Sequence, residues 1–249
     1  MGMIMEYNLT APQWLIVLLC AMLVGMAKTG LSGVGLMVVP LMASVFGGRP
    51  SVGILLPILV FADALAVTYY SRHAEWKHII RLLPWVLIGI AAGVLIGQII
   101  SDSVFNRLLA IVVLTGIVLM ILQDIRKKVN VPDNWWFSIG LGLLGGFVTM
   151  IGNSAGPIMA LYLLSMRLPK NIFIGTGAWL ILIINLVKVP IHIGIWKTIT
   201  VQSLLFDVLM IPAIALGALL GIWLVKFFPE RAYRIFIIAT TLFSALLLF

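Results

Sequence analysis

Charged side chains are scarce in this sequence. Only 10% of the 249 residues are Asp, Glu, Lys or Arg, while 63% are hydrophobic. Because about one quarter of the residues in a soluble domain are charged, this chain lacks the polar surface that a globule in water needs. We therefore predict an integral membrane protein, and we attribute the net charge of +8 to membrane orientation rather than to nucleic-acid binding.

Cysteine and histidine are also rare. The one cysteine, Cys20, lies in an apolar run, which excludes a disulfide framework and a CxxC redox site. The three histidines, His73, His78 and His192, do not share the spacing of a metal site. The sequence contains neither a P-loop nor a recognisable pair of nucleophile and base. We expect no metal, no cofactor and no enzymatic activity.

Uncharged runs long enough to span a bilayer recur along the chain and predict an all-α membrane protein. Two runs, 135–166 and, if Lys28 is ignored, 13–46, are too long for one span and short for two full crossings. Small residues interrupt both runs in the middle, at 30–35 and 152–157, so each run is either one broken helix or a re-entrant hairpin. The other predicted helices are 51–70, 80–100, 104–123, 172–191, 201–223 and 231–249.

The two interrupted runs match each other in sequence. Gly25 pairs with Gly146 and Gly35 pairs with Gly156, both at an offset of 121 residues. Similar elements follow each run in the same order, which predicts a duplicated chain. The two predicted repeats are residues 1–125 and 126–249.

Each half also contains a row of small residues at every fourth position. Such rows let helices approach closely in lipid, so we predict that they pack against other helices. The rows are Gly89, Gly93 and Gly97 in the first half and Ala213, Gly217 and Gly221 in the second.

The basic residues favour one interpretation of the interrupted runs. If each run crosses the membrane once, the loop cations divide seven against seven between the two faces. If each run is a hairpin that returns to its own side, they divide three against eleven, which is the asymmetry of the positive-inside rule. We therefore predict that both termini lie outside and that each half has five elements. The second half is then inverted relative to the first, as is common in secondary transporters.

Polar residues at the two interruptions predict an anion site. Backbone that leaves a helix within the membrane must be buried in protein or line a wet cavity, so we expect the two tips to meet near the midplane. Free N–H groups at helix N-termini suit an anion, and the ionisable Lys28 lies close to the first tip. The alternative is that Lys28 only bonds carbonyl groups of the hairpin. The predicted substrate-binding residues are Lys28, Ser32, Gly33, Gly35, Asn153, Ser154, Ala155 and Gly156.

Three further polar residues lie within predicted spans and are candidates for coupling or for the substrate pathway. Asp63 either pairs with Lys28 or carries a coupling proton, and the sequence leaves both alternatives open. Lys188, with Asn185, lies near the outer end of the span 172–191. We expect the Lys188 side chain to snorkel to the interface, with contact to a ligand as the alternative.

Two glycine-rich segments carry a resemblance to a known family. GMAKTGLSGVGLMVVPLM begins at Gly25, and its altered repeat GGFVTMIGNSAGPIMALYLL begins at Gly145. This duplicated pattern, in a basic membrane protein of about this length, resembles the sulfite exporter TauE/SafE family over essentially the whole chain.

The resemblance implies a permease of the bacterial cytoplasmic membrane that moves a small sulfur-containing anion, such as sulfite, a sulfonate or a related organic anion. We expect a secondary transporter that works by alternating access, with membrane lipid around it and the proton as a candidate coupling ion. An anion channel of the same architecture is the alternative, and a membrane-embedded enzyme is the third interpretation. No nucleic-acid partner is expected.

Overall fold

The computed structural model describes residues 9–29, 34–70, 74–125, 135–166, 168 and 170–224. Within these residues the chain forms nine α-helices and no β-strand. The predicted helix 231–249 lies outside the described residues, as do Ser32, Gly33 and His73. The helices are α1 (Ala11–Thr29), α2 (Gly35–Phe46), α3 (Gly48–Tyr70), α4 (Trp76–Ile99), α5 (Asp102–Ile125), α6 (Trp135–Gly152), α7 (Gly156–Ser165), α8 (Lys170–Gly194) and α9 (Val201–Leu224).

Six of the described helices contain a stretch that is long and apolar enough to cross a bilayer. Large apolar side chains such as Ile80, Ile99 and Leu219 point outward from them, as contact with lipid requires. The predicted class, an all-α integral membrane protein, is confirmed. The six stretches are Ala11–Thr29, Gly48–Thr68, Trp76–Ile99, Trp135–Gly152, Gly175–Gly194 and Val201–Gly221.

Each interrupted run forms two helices, and the second run visibly folds back on itself. In one straight helix, residues 145 and 159 would lie about 20 Å apart. Instead, a Cβ atom added at Gly145 would lie 2.0 Å from the terminal methyl of Met159. Asn153, at the break between α6 and α7, has a φ of 52°, a left-handed conformation that Asn adopts more readily than most residues. The chain therefore reverses here instead of continuing as one helix.

Glycines bring two pairs of helices into backbone contact. The most extensive helix packing in the described residues joins α1 to α9 and α4 to α6. At four glycines an added Cβ atom would lie 2.0–2.1 Å from a backbone oxygen of the partner helix. A larger side chain does not fit there, so the close packing predicted for the small-residue rows is confirmed at Gly89 and Gly217. The four glycines are Gly25, Gly89, Gly146 and Gly217.

Helices α3 and α8 pack side by side in opposite directions. Contacts that move forward along α3 move backward along α8. Gly53 contacts Thr198 and Glu75 contacts Thr176. Adding 123 to the numbers of Gly53 and Glu75 gives Thr176 and Thr198, so the shift turns each contact into the other. A two-fold axis would relate the contacts in this way. The contacts, in chain order from α3 to the residue before α4, are Gly53 with Thr198, Asp63 with Asn185, and Glu75 with Thr176. Thr198 follows the end of α8, and Glu75 follows the end of α3.

Candidate functional site

An ion pair joins the end of α1 to the middle of α3. Lys28 lies in the last turn of α1, and its Nζ atom is 2.6 Å from Asp63 Oδ1. The Asp63 side chain is 1% exposed and that of Lys28 is 17% exposed. A buried carboxylate in a membrane protein needs such a partner, because an uncompensated buried charge is strongly destabilising. The pairing alternative for Asp63 is therefore present in the structure, while proton coupling stays a prediction.

Asn185 continues this contact from α3 to α8. Its Nδ2 atom donates a hydrogen bond to Asp63 Oδ2 at 2.7 Å. Its Oδ1 atom accepts one from Lys188 Nζ at 3.3 Å, so the amide relays between a carboxylate and an ammonium group. One amide thereby connects the two charged residues of adjacent helices.

Lys188 is fully buried, with 0% of its surface exposed. Its ammonium group donates to Thr149 Oγ1 at 3.1 Å, to Asn153 Oδ1 and to Asn185 Oδ1. An ammonium group has three N–H donors, and these acceptors employ all three. The prediction that Lys188 snorkels to the interface is wrong, because α8 continues to Gly194 and α6 supplies an acceptor that holds the side chain inside.

The residues at the second break are mostly used within the protein. Asn153 accepts from Lys188, and its Nδ2 atom donates to the Val52 carbonyl of α3 at 2.9 Å. The Ser154 hydroxyl is buried and donates to the Gly152 carbonyl at 2.8 Å. Asn153 and Ser154 thus bind other parts of the chain in this conformation, although the sequence predicts them as donors to a substrate.

Gly156 and Ala155, also predicted at this break, have different surroundings. Ala155 is 4% exposed and belongs to the apolar core. Among the described residues, no atom beyond the adjoining backbone lies within 4 Å of a Cβ atom added at Gly156, the first residue of α7. The start of α7 therefore has open space beside it.

The first break brings Ala27 and Gly35 close together. A Cβ atom added at Gly35 would lie 3.6 Å from the Cβ atom of Ala27, the neighbour of Lys28. Both breaks make a described polar contact with α3, but at different heights along that helix. Lys28, beside the first break, contacts Asp63, and Asn153, at the second break, contacts the Val52 carbonyl. Eleven residues of helix separate these levels, about 16 Å. The relay through Asn185 and Lys188 connects them.

Comparison with known families decides the classification. The family model described as Sulfite exporter TauE/SafE matches residues 17–248. The chain belongs to this family. Searches of curated proteins and of solved structures found no match. The resemblance inferred from the two glycine-rich segments is confirmed, and the chain is a multi-pass membrane protein of a transporter family.

The described polar network of this TauE/SafE family member contains two basic side chains and one acidic side chain. Lys28 and Lys188 are two cations, and Asp63 is the carboxylate that the structure places among them. When both lysines are protonated, the network has one more positive than negative charge, which suits an anion because buried charge requires compensation. No group of three or more His, Cys, Asp and Glu side chains in the described ranges could hold a metal ion.

Sequence reasoning missed Thr149, which accepts a hydrogen bond from Lys188. The offset of 121 residues that relates the two glycine-rich segments carries Lys28 onto Thr149, and this relationship is the signal that could have found it. In the first half a lysine on the first helix meets an acid on α3. In the second half the lysine is Lys188 on α8, and the hydroxyl is that of Thr149 on α6, the first helix of that half.

Proposed function

We propose that this protein is a secondary transporter for a small sulfur-containing anion, such as sulfite, a sulfonate or a related organic anion. It moves the anion across the bacterial cytoplasmic membrane by alternating access, with the site between the two interrupted segments. Membership of the TauE/SafE family supports the substrate class. The observation that carries the site is the polar network in which Lys28 pairs with Asp63 and Lys188 is joined to the same carboxylate through the Asn185 amide.

The proposed architecture is two inverted repeats, residues 1–125 and 126–249, with both termini outside. The opposite directions of α3 and α8 support it, because these helices occupy equivalent places in the two halves. With four crossings in each half, the second half would repeat the orientation of the first and equivalent helices would run in the same direction. Five elements in each half reverse the second half, as is common in transporters with inverted repeats.

Lys28 is the residue that we assign to direct contact with the anion. It makes one described bond, to Asp63, and part of its side chain is exposed. Two of its three N–H donors therefore have no partner among the described residues, and we assign them to the ligand. Lys188, whose three donors are all employed, instead holds the second break against α6 and α8.

Backbone groups complete the proposed site. The N-termini of α2 and α7, at Gly35 and Gly156, carry N–H groups that have no partner within their own helix. Such ends favour a negative charge, and the open space at Gly156 gives a ligand room to approach. Ser32 and Gly33 belong to the same proposal, with Asn153, Ser154 and Ala155 shaping the second break.

Proton coupling is proposed at Asp63. Neutralising this carboxyl removes the partner of Lys28, which frees the ammonium group for the anion. A proton and an anion would then bind together, and a proton gradient could drive accumulation of the anion.

Purified protein in proteoliposomes tests the proposal. Uptake and efflux are measured for sulfite, thiosulfate, sulfoacetate, sulfate and a carboxylate, with and without a pH gradient. Saturable movement of a sulfur-containing anion, strongly reduced in Lys28→Met, is expected. The matched control is Lys77→Met, which removes a lysine from the exposed start of α4. Anion flux far above transporter turnover would establish the channel alternative, and absence of flux for every anion tested would refute the proposal.

A further inference from the structure

Lys28, Asp63, Asn185 and Lys188 form what we call the Lys28 network. A second group of polar atoms lies apart from it, at the end of the protein where α3 and α5 begin and α8 ends. Three buried N–H or ring nitrogen atoms there have no hydrogen-bond partner within the described part of the chain. Buried polar groups without a partner are uncommon in native proteins, and each calls for an explanation. The atoms are Arg49 Nε, His192 Nε2 and Trp196 Nε1.

These three side chains are connected through aromatic contacts. The Arg49 guanidinium lies 5.3 Å from the centre of the Phe105 ring. The Phe105 ring is 5.8 Å from that of Trp196, and the Trp196 ring is 5.1 Å from that of His192. An unbroken row of side chains therefore runs from Arg49 on α3 to the fully buried His192 on α8.

Each of the three nitrogen atoms can act as a donor. The Arg49 Nε and Trp196 Nε1 groups are donors only. The His192 Nδ1 atom is 2.7 Å from the Thr198 hydroxyl. When Thr198 donates to Nδ1, the neutral imidazole carries its hydrogen on Nε2, because the hydrogen bond of one ring nitrogen selects the tautomer of the other. Three donors without an acceptor suit an oxyanion.

His192 also extends the polar face of α8 beyond the Lys28 network. Asn185, Lys188 and His192 follow one another at spacings of three and four residues, which places them on one face of the helix. His192 is one turn closer than Lys188 to the end of α8 at Gly194. Asp102, the carboxylate described 3.5 Å from Arg49, is largely exposed, whereas His192 at the inner end of the row is fully buried.

We propose that Arg49, His192 and Trp196 form a second anion subsite, through which the oxyanion passes between the Lys28 site and the membrane face at which α8 ends. The inference rests on the proposed function and adds to it a binding place that the Lys28 network does not require. The ligand class is a small oxyanion that accepts hydrogen bonds from the His192 and Trp196 rings. Arg49, at the start of α3, attracts the anion to the entrance.

Sided transport kinetics test the subsite. The half-saturation concentration for sulfite is measured in right-side-out and in inverted membrane vesicles, for wild type, His192→Phe and Trp196→Phe. We expect an increase of about fivefold or more on one face only, which corresponds to the loss of one hydrogen bond. The half-saturation concentration on the other face should stay within about twofold of wild type, since its route does not begin at this subsite.

Trp179→Phe is the matched control. Trp179 lies in the first half of α8, the helix that carries His192. Its buried indole N–H also has no partner among the described residues. It packs against Trp76, with ring centres 5.2 Å apart, at the opposite end of α8. Trp179→Phe should leave the half-saturation concentration for sulfite unchanged at the membrane face where α8 ends.

If either phenylalanine variant fails to fold in detergent, Thr198→Val supplies the second measurement. It keeps the side-chain shape and removes the hydroxyl that selects the His192 tautomer. The same one-sided increase is expected. Equal changes on both faces, or no change in the folded variants, would overturn the subsite. Wild-type vesicles that move no oxyanion would instead overturn the proposed function.

A phospholipid phosphate has the same chemistry as a free oxyanion, so a binding measurement distinguishes the two sources. Sulfite binding to the purified protein is measured in a maltoside detergent, with and without added phosphatidylglycerol. Unchanged binding of sulfite in the presence of the lipid supports the free anion. Displacement of sulfite by lipid in wild type, together with loss of that displacement in His192→Phe, would assign the position to lipid and overturn the proposal.

Discussion

Asn185 donates a hydrogen bond to Asp63 across the contact between α3 and α8, at 2.7 Å. This contact is polar, whereas the α1–α9 and α4–α6 contacts are formed by glycines in backbone contact with the partner helix. A hydrogen bond can be exchanged for one to a ligand at little net cost, but a backbone contact of this kind does not open without loss of packing. We therefore expect transport to change the α3–α8 contact and to leave the glycine contacts intact.

Replacing Lys28 should separate its structural effect from its effect on the anion. Lys28→Met leaves Asp63 buried without its cation, which we expect to destabilise the protein by about 3–5 kcal/mol. Lys28→Met combined with Asp63→Asn removes both charges and should recover most of the thermal stability. Sulfite affinity should fall about tenfold or more in both variants, because a charge-assisted bond is lost. Thermal unfolding and sulfite binding in detergent measure the two effects.

Asn153→Ala is the companion to this experiment. Asn153 binds Lys188 and the Val52 carbonyl rather than having a free donor directed at a ligand. Its loss should lower stability by about 1–3 kcal/mol, because a buried ammonium group loses an acceptor. The affinity for sulfite should change less than in Lys28→Met. Normal sulfite affinity in the folded double variant at Lys28 and Asp63 would place the anion elsewhere.

Asp63→Asn should uncouple transport from the proton gradient. The amide cannot bind and release a proton, while it keeps the size of the side chain beside Asn185. We expect accumulation of sulfite driven by a pH gradient to disappear and exchange of sulfite across the membrane to continue. Both are measured in the same proteoliposomes. Parallel loss of exchange and accumulation would assign Asp63 to the ion pair alone.

Gly156 and Gly146 should respond differently to the same substitution. In the part of the chain that the structure describes, no atom beyond the adjoining backbone lies within 4 Å of a Cβ atom added at Gly156. Gly156→Leu should therefore fold and obstruct the approach of the anion to the start of α7. At Gly146 the added Cβ atom would lie 2.0 Å from the Val86 carbonyl oxygen, so Gly146→Leu should fail to assemble. Size-exclusion chromatography reports folding, and sulfite binding reports the site. A folded Gly156→Leu variant with normal affinity would contradict the proposed approach.

The orientation of the chain can be tested with fusions. A reporter that is active only in the cytoplasm should be silent after Phe249 and active in the loop that contains Lys127, because both termini are predicted outside. Both positions lie outside the described residues, so the reporter adds information on the ends of the second half. Activity at both positions would restore parallel halves with eight spans.

The membrane fold could be predicted from sequence because its determinants are local. A span of about 20 uncharged residues is recognisable by itself, and the small residues at every fourth position, such as Gly89 and Gly217, predict close helix contact without knowledge of the partner. The partner helices are not predictable in this way. That α1 packs on α9 and α4 on α6 depends on contacts between residues far apart in the chain.

The surroundings of Lys188 show where prediction from sequence stops. Its distance from the end of a predicted span indicates an interfacial residue, but two of its three acceptors, Thr149 and Asn153, lie 39 and 35 residues away in sequence. Whether a lysine is at the surface or buried depends on such acceptors. For Asp63 the sequence left both alternatives open. The structure shows the ion pair with Lys28 of α1, and proton coupling stays a prediction.

The glycine contacts also govern the order in which the chain can assemble during synthesis. When α1 enters the bilayer, α9, whose Ile214 carbonyl lies against Gly25, has not yet been translated. The Gly25 surface of α1 must therefore face lipid or an insertion chaperone until almost the whole chain has been made. A ribosome that stalls before α9 leaves the first half unable to complete its packing, so such truncated chains should be recognised by membrane proteases as unassembled.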